Sequence, residues 1–188
     1  GHKSLNTVVH EKLLCKLAAC GIEDDLLGWI QCFLSHRSQY IVVNGVASAI
    51  YPVTSGVPQG SVLGPILFIL YINDIVDVVD ANCHCKLYAD DVKLFAEIHV
   101  GCNDDVLKRS LSAIMDWSSV WQLNINAAKC NALYIGRKPQ DNPSEYYIDN
   151  VCLPRVNLVS DLGVQVDSNL SFSSHVAYVA KRLLIDLR

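Results

Sequence analysis

The stretch "TSGVPQGSVLGP", residues 54–65, places the tightest limit on how this chain can fold. Three glycines and two prolines among small hydroxyl residues allow no regular helix or strand before about Ser61. A segment with so little side-chain bulk lets its backbone approach another molecule closely. Beyond it, the apolar run from Val62 to Val79 predicts a buried helix.

Upstream, Asn6 is a good N-cap for a helix through Val9, Leu13, Leu14 and Leu17, with Gly21 at its C-terminal stop. Leu26, Leu27, Ile30, Phe33 and Leu34 repeat at helical spacing and predict a second helix. Apolar and β-branched residues flank Asn44-Gly45, a strong hairpin signal, and predict strands at 39–43 and 46–52. Downstream, a hairpin is expected with strands at 85–89 and 92–97. A helix capped by Asp104 carries Val106, Leu107, Leu111, Ile114 and Trp117, and strands follow at 130–135, 146–153 and 161–166. The last segment, "SSHVAYVAKRLLIDLR", reads as an amphipathic helix capped by Ser173 or Ser174. Helices mixed with antiparallel hairpins, without strict alternation, predict an α+β fold.

At 188 residues and 51% hydrophobic, the chain can bury a core as one domain or a domain plus an appendage. The longest apolar stretch, Val62 to Ile72, is about half of the roughly 20 residues that a membrane span needs. No basic region followed by an apolar one opens the sequence, so no signal peptide is expected. The eight cysteines show no C-x2-C spacing and predict free, buried thiols in a reducing compartment. In "CHCK", Cys83, His84 and Cys85 would alternate across a strand and make a poor metal site. A net charge of -4 argues against a free-standing nucleic-acid binder. Opening at Gly1, with Met115 its only methionine, the sequence reads as a piece of something longer.

"KLYADDVKLFA", residues 86–96, puts Asp90-Asp91 where a tight hairpin prefers Asn-Gly or Asp-Gly. Adjacent carboxylates repel unless cations neutralise them, and departures from local rules concentrate at functional sites. The pair by itself reads either as a solvated acidic turn or as a site for a hard divalent ion: Mg²⁺ takes a few carboxylates and completes its shell with water and phosphates, as nucleotidyl transfer by two metals requires.

"YADD" at 88–91 resembles the Tyr-x-Asp-Asp box of reverse transcriptases, and "SGVPQGSVLGPILFILYINDI" at 55–75 resembles their fingers-to-palm segment in jockey-like, LINE-type, non-LTR retrotransposons. "WQLNINAAKCNALYIGRK" at 121–138 and "LGVQVDSNLSFSSHV" at 162–176 continue the resemblance in the family's order. The resemblance implies a polymerase palm at 1–160, an antiparallel sheet on helices, and a primer-grip hairpin with the start of a helical thumb at 161–188. It implies RNA-directed DNA polymerase activity with Mg²⁺, or Mn²⁺, on an RNA template, a DNA primer and dNTPs, within the cytoplasm and nucleus. Asp90 and Asp91 would be the metal carboxylates, Tyr88 would flank them near the primer end, and Lys129 would assist the pyrophosphate. Gly56, Pro58, Gln59 and Gly60 would line the nascent base pair. "LGV" at 162–164 would belong to the hairpin that grips the primer.

The family's first palm motif reads Asp-Leu-Ser-Lys-Ala-Phe-Asp-x-Val-x-His. Aligned on Lys3, Val8 and His10, Gly1 falls one residue after its first aspartate, the third metal carboxylate. Leu5 then stands at the phenylalanine that screens the sugar 2′-hydroxyl, and Asn6 at the second aspartate. The fingers and their basic residues would lie upstream, leaving apolar palm surface for self-association. Two hypotheses follow: a polymerase fragment, or a decayed or domesticated palm kept as a structural or binding remnant.

Overall fold

Leu13, Lys16 and Leu17, spaced to line one side of a helix, form the buried face of α1 (His10–Ala19) in the computed structural model. The structure describes residues 4–98, 105–136 and 144–186. At the end of α1 the Gly21 amide donates to the Ala18 carbonyl and the Ile22 amide to that of Leu17, both at 3.0 Å, a Schellman closure. The start of α1 differs from expectation. Asn6 is not its N-cap: it ends a 3-10 turn at Ser4–Asn6, and extended Val9 precedes the helix without a side-chain cap.

α2 (Asp24–Leu34) buries Ile30 and Leu34 against the same core. A ribbon follows, made of β1 (Ser38–Gln39), β2 (Val42–Val43), β3 (Val46–Ala47) and β4 (Tyr51–Pro52). β2 pairs with β3 and β1 with β4, both antiparallel. Asn44 and Gly45 turn it with φ of +51° and +81°, the signs of a type I′ turn. Its strands are shorter than the sequence predicts, and its apolar residues stay in solvent: Ile41 is 69% exposed, Val46 72% and Ile50 70%.

α3 (Leu63–Ile72) buries Leu67, Phe68, Tyr71 and Ile72. The buried helix expected through Val79 ends early: a 3-10 segment takes over at Asn73–Val78, and Ile66 and Ile69 are about half exposed. Next come β5 (His84–Tyr88) and β6 (Asp91–Phe95), an antiparallel hairpin, and α4 (Asp105–Trp121), which turns Ile114 and Trp117 into the core. The cap expected at Asp104 lies outside the described residues. At the far end of α4 the Lys12 ammonium donates to the Val120 carbonyl and the Tyr71 hydroxyl to that of Trp121, which supplies partners to orphan helix-end acceptors.

Lys16 ties these helices together. Its ammonium donates to the Tyr71 carbonyl at 2.6 Å and to the Asp74 carboxylate, and lies 3.9 Å from the ring centre of Trp121 and 4.5 Å from that of Trp117. The Trp117 indole N–H donates to the same carboxylate at 3.1 Å. Burial, foremost, pushes the Lys16 ammonium below the ordinary lysine range, against the pull of Asp74.

The glycine-rich loop is clamped onto the chain before α1. The Gly56 amide donates to the Val8 carbonyl at 2.7 Å, the Val57 amide to that of Leu5 at 2.9 Å, and Val9 and Ser55 form an antiparallel bridge. The His10 Nε2 donates to the Gly56 carbonyl at 2.8 Å. Gly56 has φ +86°, and a Cβ there would stand 2.7 Å from the Asn6 Cα and 2.9 Å from its carbonyl oxygen. Glycine is therefore required by the chain's own backbone.

The chain divides into two compact units, Gly1–Ile125 and Asn126–Arg188. In the second, β7 (Ala132–Leu133), β8 (Tyr147–Ile148), β9 (Val151–Cys152) and β10 (Arg155–Val156) come first; β7 pairs in parallel with β10 and β8 antiparallel with β9. β11 (Leu158–Asp161) and β12 (Val164–Asp167) form a further hairpin. The strands expected at 146–153 and 161–166 are thus hairpins, turning at Asp149-Asn150 and Leu162-Gly163, all four residues at positive φ. α5 (Ser173–Asp186) starts at Ser173, one of the two serines expected at its cap. In the turn before it, the Asp167 carboxylate accepts from the amides of Asn169, Ser171 and Phe172 and from the Ser171 hydroxyl. Those bonds, the Ser171 amide first, hold its carboxyl below the usual range. The thiols also differ from expectation: of the described cysteines all are free, but only Cys83 is buried.

Two stability measurements test this packing. Gly56→Ala should cost about 2–3 kcal/mol in urea unfolding, since both φ and the Asn6 backbone oppose a Cβ; Gly60→Ala, with φ +80° but open space around it, should cost about 1 kcal/mol. Burial, with the Asp74 charge, pushes the Tyr71 phenol up to about 12 from 10.0. A folded pKa above the unfolded one lends stability that is full below pH 10 and is lost as pH rises towards about 12. Tyr71→Phe should flatten that alkaline decline relative to the wild type.

Candidate active site

The hairpin of β5 and β6 carries the two aspartates, one step out of the expected register. Tyr88 pairs with Asp91, so the two-residue turn is Ala89-Asp90 and Asp91 is the first residue of β6. Positive φ falls on Ala89, at +50°, and an L-residue there costs about 1 kcal/mol. The register follows from burial. Leu87 and Leu94 pack against the core cluster, and alternation then sends His84, Lys86, Tyr88, Asp91, Lys93 and Phe95 to the opposite face. Tyr88 is 64% exposed, Asp91 is exposed, and Asp90 is half-buried at the tip. Lys86 stands opposite Lys93, and the His84 and Phe95 rings stack at 5.0 Å.

Two adjacent carboxylates at an accessible tip suit a hard cation that keeps several waters and takes further oxygens from a substrate. They form a partial donor set: among the described residues no group of three His, Cys, Asp or Glu could hold a metal. The Cys83-His84-Cys85 stretch splits as expected, with Cys83 buried and His84 on the exposed face.

The loop residues fall into two kinds. Gly56 and Pro58 are buried in the clamp, whereas Gln59 and Gly60 are exposed. Gln59 Nε2 donates to Asn6 Oδ1 at 2.9 Å, so Asn6, read in sequence as a helix cap, serves the loop. Leu5 is half-buried and packs on the core cluster that also receives Leu87 and Leu94. The structure thus brings Leu5, Asn6, Gly56, Pro58 and Gln59 together. Lys129 belongs to the second unit, exposed at the end of a 3-10 turn (Ala127–Lys129) that Asn126 caps. "LGV" at 162–164 sits at the tip of the β11–β12 hairpin. His10 and Ser55, which hold the loop, were missed in sequence because a bond across 46 residues leaves no local signal.

Residues 3–166 match the reverse transcriptase (RNA-dependent DNA polymerase) family. The chain is 31% identical over 163 residues to a probable RNA-directed DNA polymerase from transposon X-element of Drosophila melanogaster, covering 83% of this chain and 18% of that protein. It is 27% identical over 157 residues to the RNA-directed DNA polymerase from mobile element jockey of the same species, covering 80% of this chain and 17% of the relative. The jockey protein of Drosophila funebris is 27% identical over 181 residues, covering 93% of this chain and 20% of its own length. The chain spans about a fifth of the curated relatives it matches, and that span includes the aspartate hairpin and the glycine-rich loop. With motif order, hairpin geometry and these matches in agreement, the chain belongs to the reverse transcriptase (RNA-dependent DNA polymerase) family.

Proposed function

We propose that this chain is the palm, with the primer-grip hairpin and the start of the thumb, of an RNA-directed DNA polymerase of a non-LTR retrotransposon. The observation that carries this is the Tyr88-Ala89-Asp90-Asp91 tip, where a packed hairpin presents two carboxylates beside an exposed aromatic ring. Asp90 and Asp91 would hold Mg²⁺, or Mn²⁺, and the chemistry such an ion would supply is activation of the primer 3′ hydroxyl and neutralisation of pyrophosphate charge. Tyr88 lies on the Asp91 face and supports the primer end. Gln59 and Gly60, exposed on a clamped loop, meet the nucleotide or template, and the backbone of Gly56 and Pro58 sets their position. Lys129 assists the pyrophosphate. Leu5, half-buried, presents an aliphatic surface where the sugar is screened.

The substrates are an RNA template, a DNA primer and dNTPs, and the setting is intracellular, in cytoplasm and nucleus. No helix among the described residues is long and apolar enough to cross a membrane. The exposed apolar ribbon of β1–β4 offers a surface for self-association. The reading as a non-catalytic remnant draws on Leu5 and Asn6, and polymerase relatives over most of the chain weigh against it.

Calorimetry tests the metal site: Mn²⁺ binding should weaken about tenfold or more in Asp90→Asn, because a ligand matters at least as much as the groups that orient it. Equal binding by both chains would remove the site. A partial donor set positions the reacting groups poorly. These 188 residues made alone should therefore give no templated primer extension on RNA with either metal.

A further inference from the structure

We propose that Asn6 is a positioning residue for Gln59: its carboxamide oxygen holds the Gln59 side chain in the orientation that meets an incoming deoxynucleoside triphosphate. The inference rests on reading the glycine-rich loop as the nucleotide site, and adds to it a residue that touches no substrate.

The argument begins with how firmly Asn6 is held. The Ser55 hydroxyl donates to its carbonyl at 3.0 Å, and the Cβ-less surface of Gly56 lies directly on its backbone. On either side, Leu5 and Val8 accept loop amides, and His10 fixes the Gly56 carbonyl. From that anchored backbone a short side chain with two torsions reaches Gln59 Nε2 at 2.9 Å. Gln59 itself is exposed and has three torsions. A glutamine on an exposed loop samples many rotamers, and a ligand that uses it must first order it. The Asn6 bond contributes to that ordering in advance and favours one edge of the carboxamide facing outward.

The chemistry at Asn6 is also specific. Gln59 offers an N–H there, so position 6 must supply an acceptor. Aspartate can only accept and would hold Gln59 the same way; leucine has the shape of asparagine and cannot. Position 6 should therefore tolerate Asn6→Asp and not Asn6→Leu, an ordering that packing alone would not produce at an exposed residue.

The test follows the backbone amide signals of residues 59 and 60 by NMR in the ¹⁵N-labelled chain, with the Gln59 carboxamide signals beside them where glutamine is kept, during titration with dTTP and Mg²⁺ into the millimolar range, in wild type, Asn6→Leu, Asn6→Asp, Gln59→Met and the Asn6→Leu/Gln59→Met double variant. The expected result is that Asn6→Leu binds dTTP about fivefold more weakly, the scale of one net hydrogen bond. Asn6→Asp should stay within about twofold of wild type, and Asn6→Leu should have no further effect once Gln59 is methionine. The inference is overturned if Asn6→Leu binds as wild type does, or if it weakens binding equally in the Gln59→Met background, where Asn6 could act only through the fold. If wild type gives no dTTP response, or Gln59→Met binds unchanged, the nucleotide-site reading itself fails and the inference falls with it.

Discussion

Withdrawing the Lys16 ammonium from water costs several kcal/mol unless its surroundings replace the lost solvation. Here they do so from several sides. One carboxylate, one helix-end carbonyl and the faces of Tyr71, Trp117 and Trp121 surround the charge. A hydrogen bond to a charged group contributes about 1.5–3 kcal/mol and a desolvated cation–π contact about 2 kcal/mol, so together they offset the penalty. The arrangement is also directional, which apolar packing is not. It sets how α1 meets the end of α3 and the Trp117 face of α4, and Asp74 joins it from the 3-10 segment into which the apolar run passes.

The candidate site is built on that core at second hand. Leu87 and Leu94 seat one face of the aspartate hairpin on the cluster, and the other face is thereby delivered to solvent with Tyr88 and Asp91. Val8 and Val57 belong to the same cluster, so the clamp that carries Gln59 is anchored there too. Within the aspartate hairpin a local rule is broken at the turn beside the carboxylates, at Ala89, whose left-handed backbone the surrounding strands impose.

Some of this was legible in the chain and some was not, for identifiable reasons. Asn44-Gly45 marked its own turn, since both residues accept positive φ. Gly21 marked the end of α1. Asp90-Asp91 marked a hairpin but misled about register by one residue, because side-chain composition at the tip is a weaker determinant than the inward alternation of Cys85, Leu87 and Leu94. Asn6 looked like a cap because asparagine usually caps when it precedes a helix, and nothing local shows a glutamine 53 residues away competing for the same oxygen. The exposure of Ile41, Val46 and Ile50 ran against their hydrophobicity, which sequence reports without saying what will cover it.

The sequence by itself determined the family, the order of the motifs, the helices with clear apolar faces and the identity of the two carboxylates, because each rests on residue type and spacing along the chain. Only the tertiary structure decided the register of the aspartate hairpin, the burial of Lys16 in an aromatic enclosure, the clamp of Gly56 on Asn6 and the hold of Asn6 on Gln59. Each of these pairs groups far apart in sequence, and their energy depends on distance and desolvation, which exist only once the chain has closed on itself.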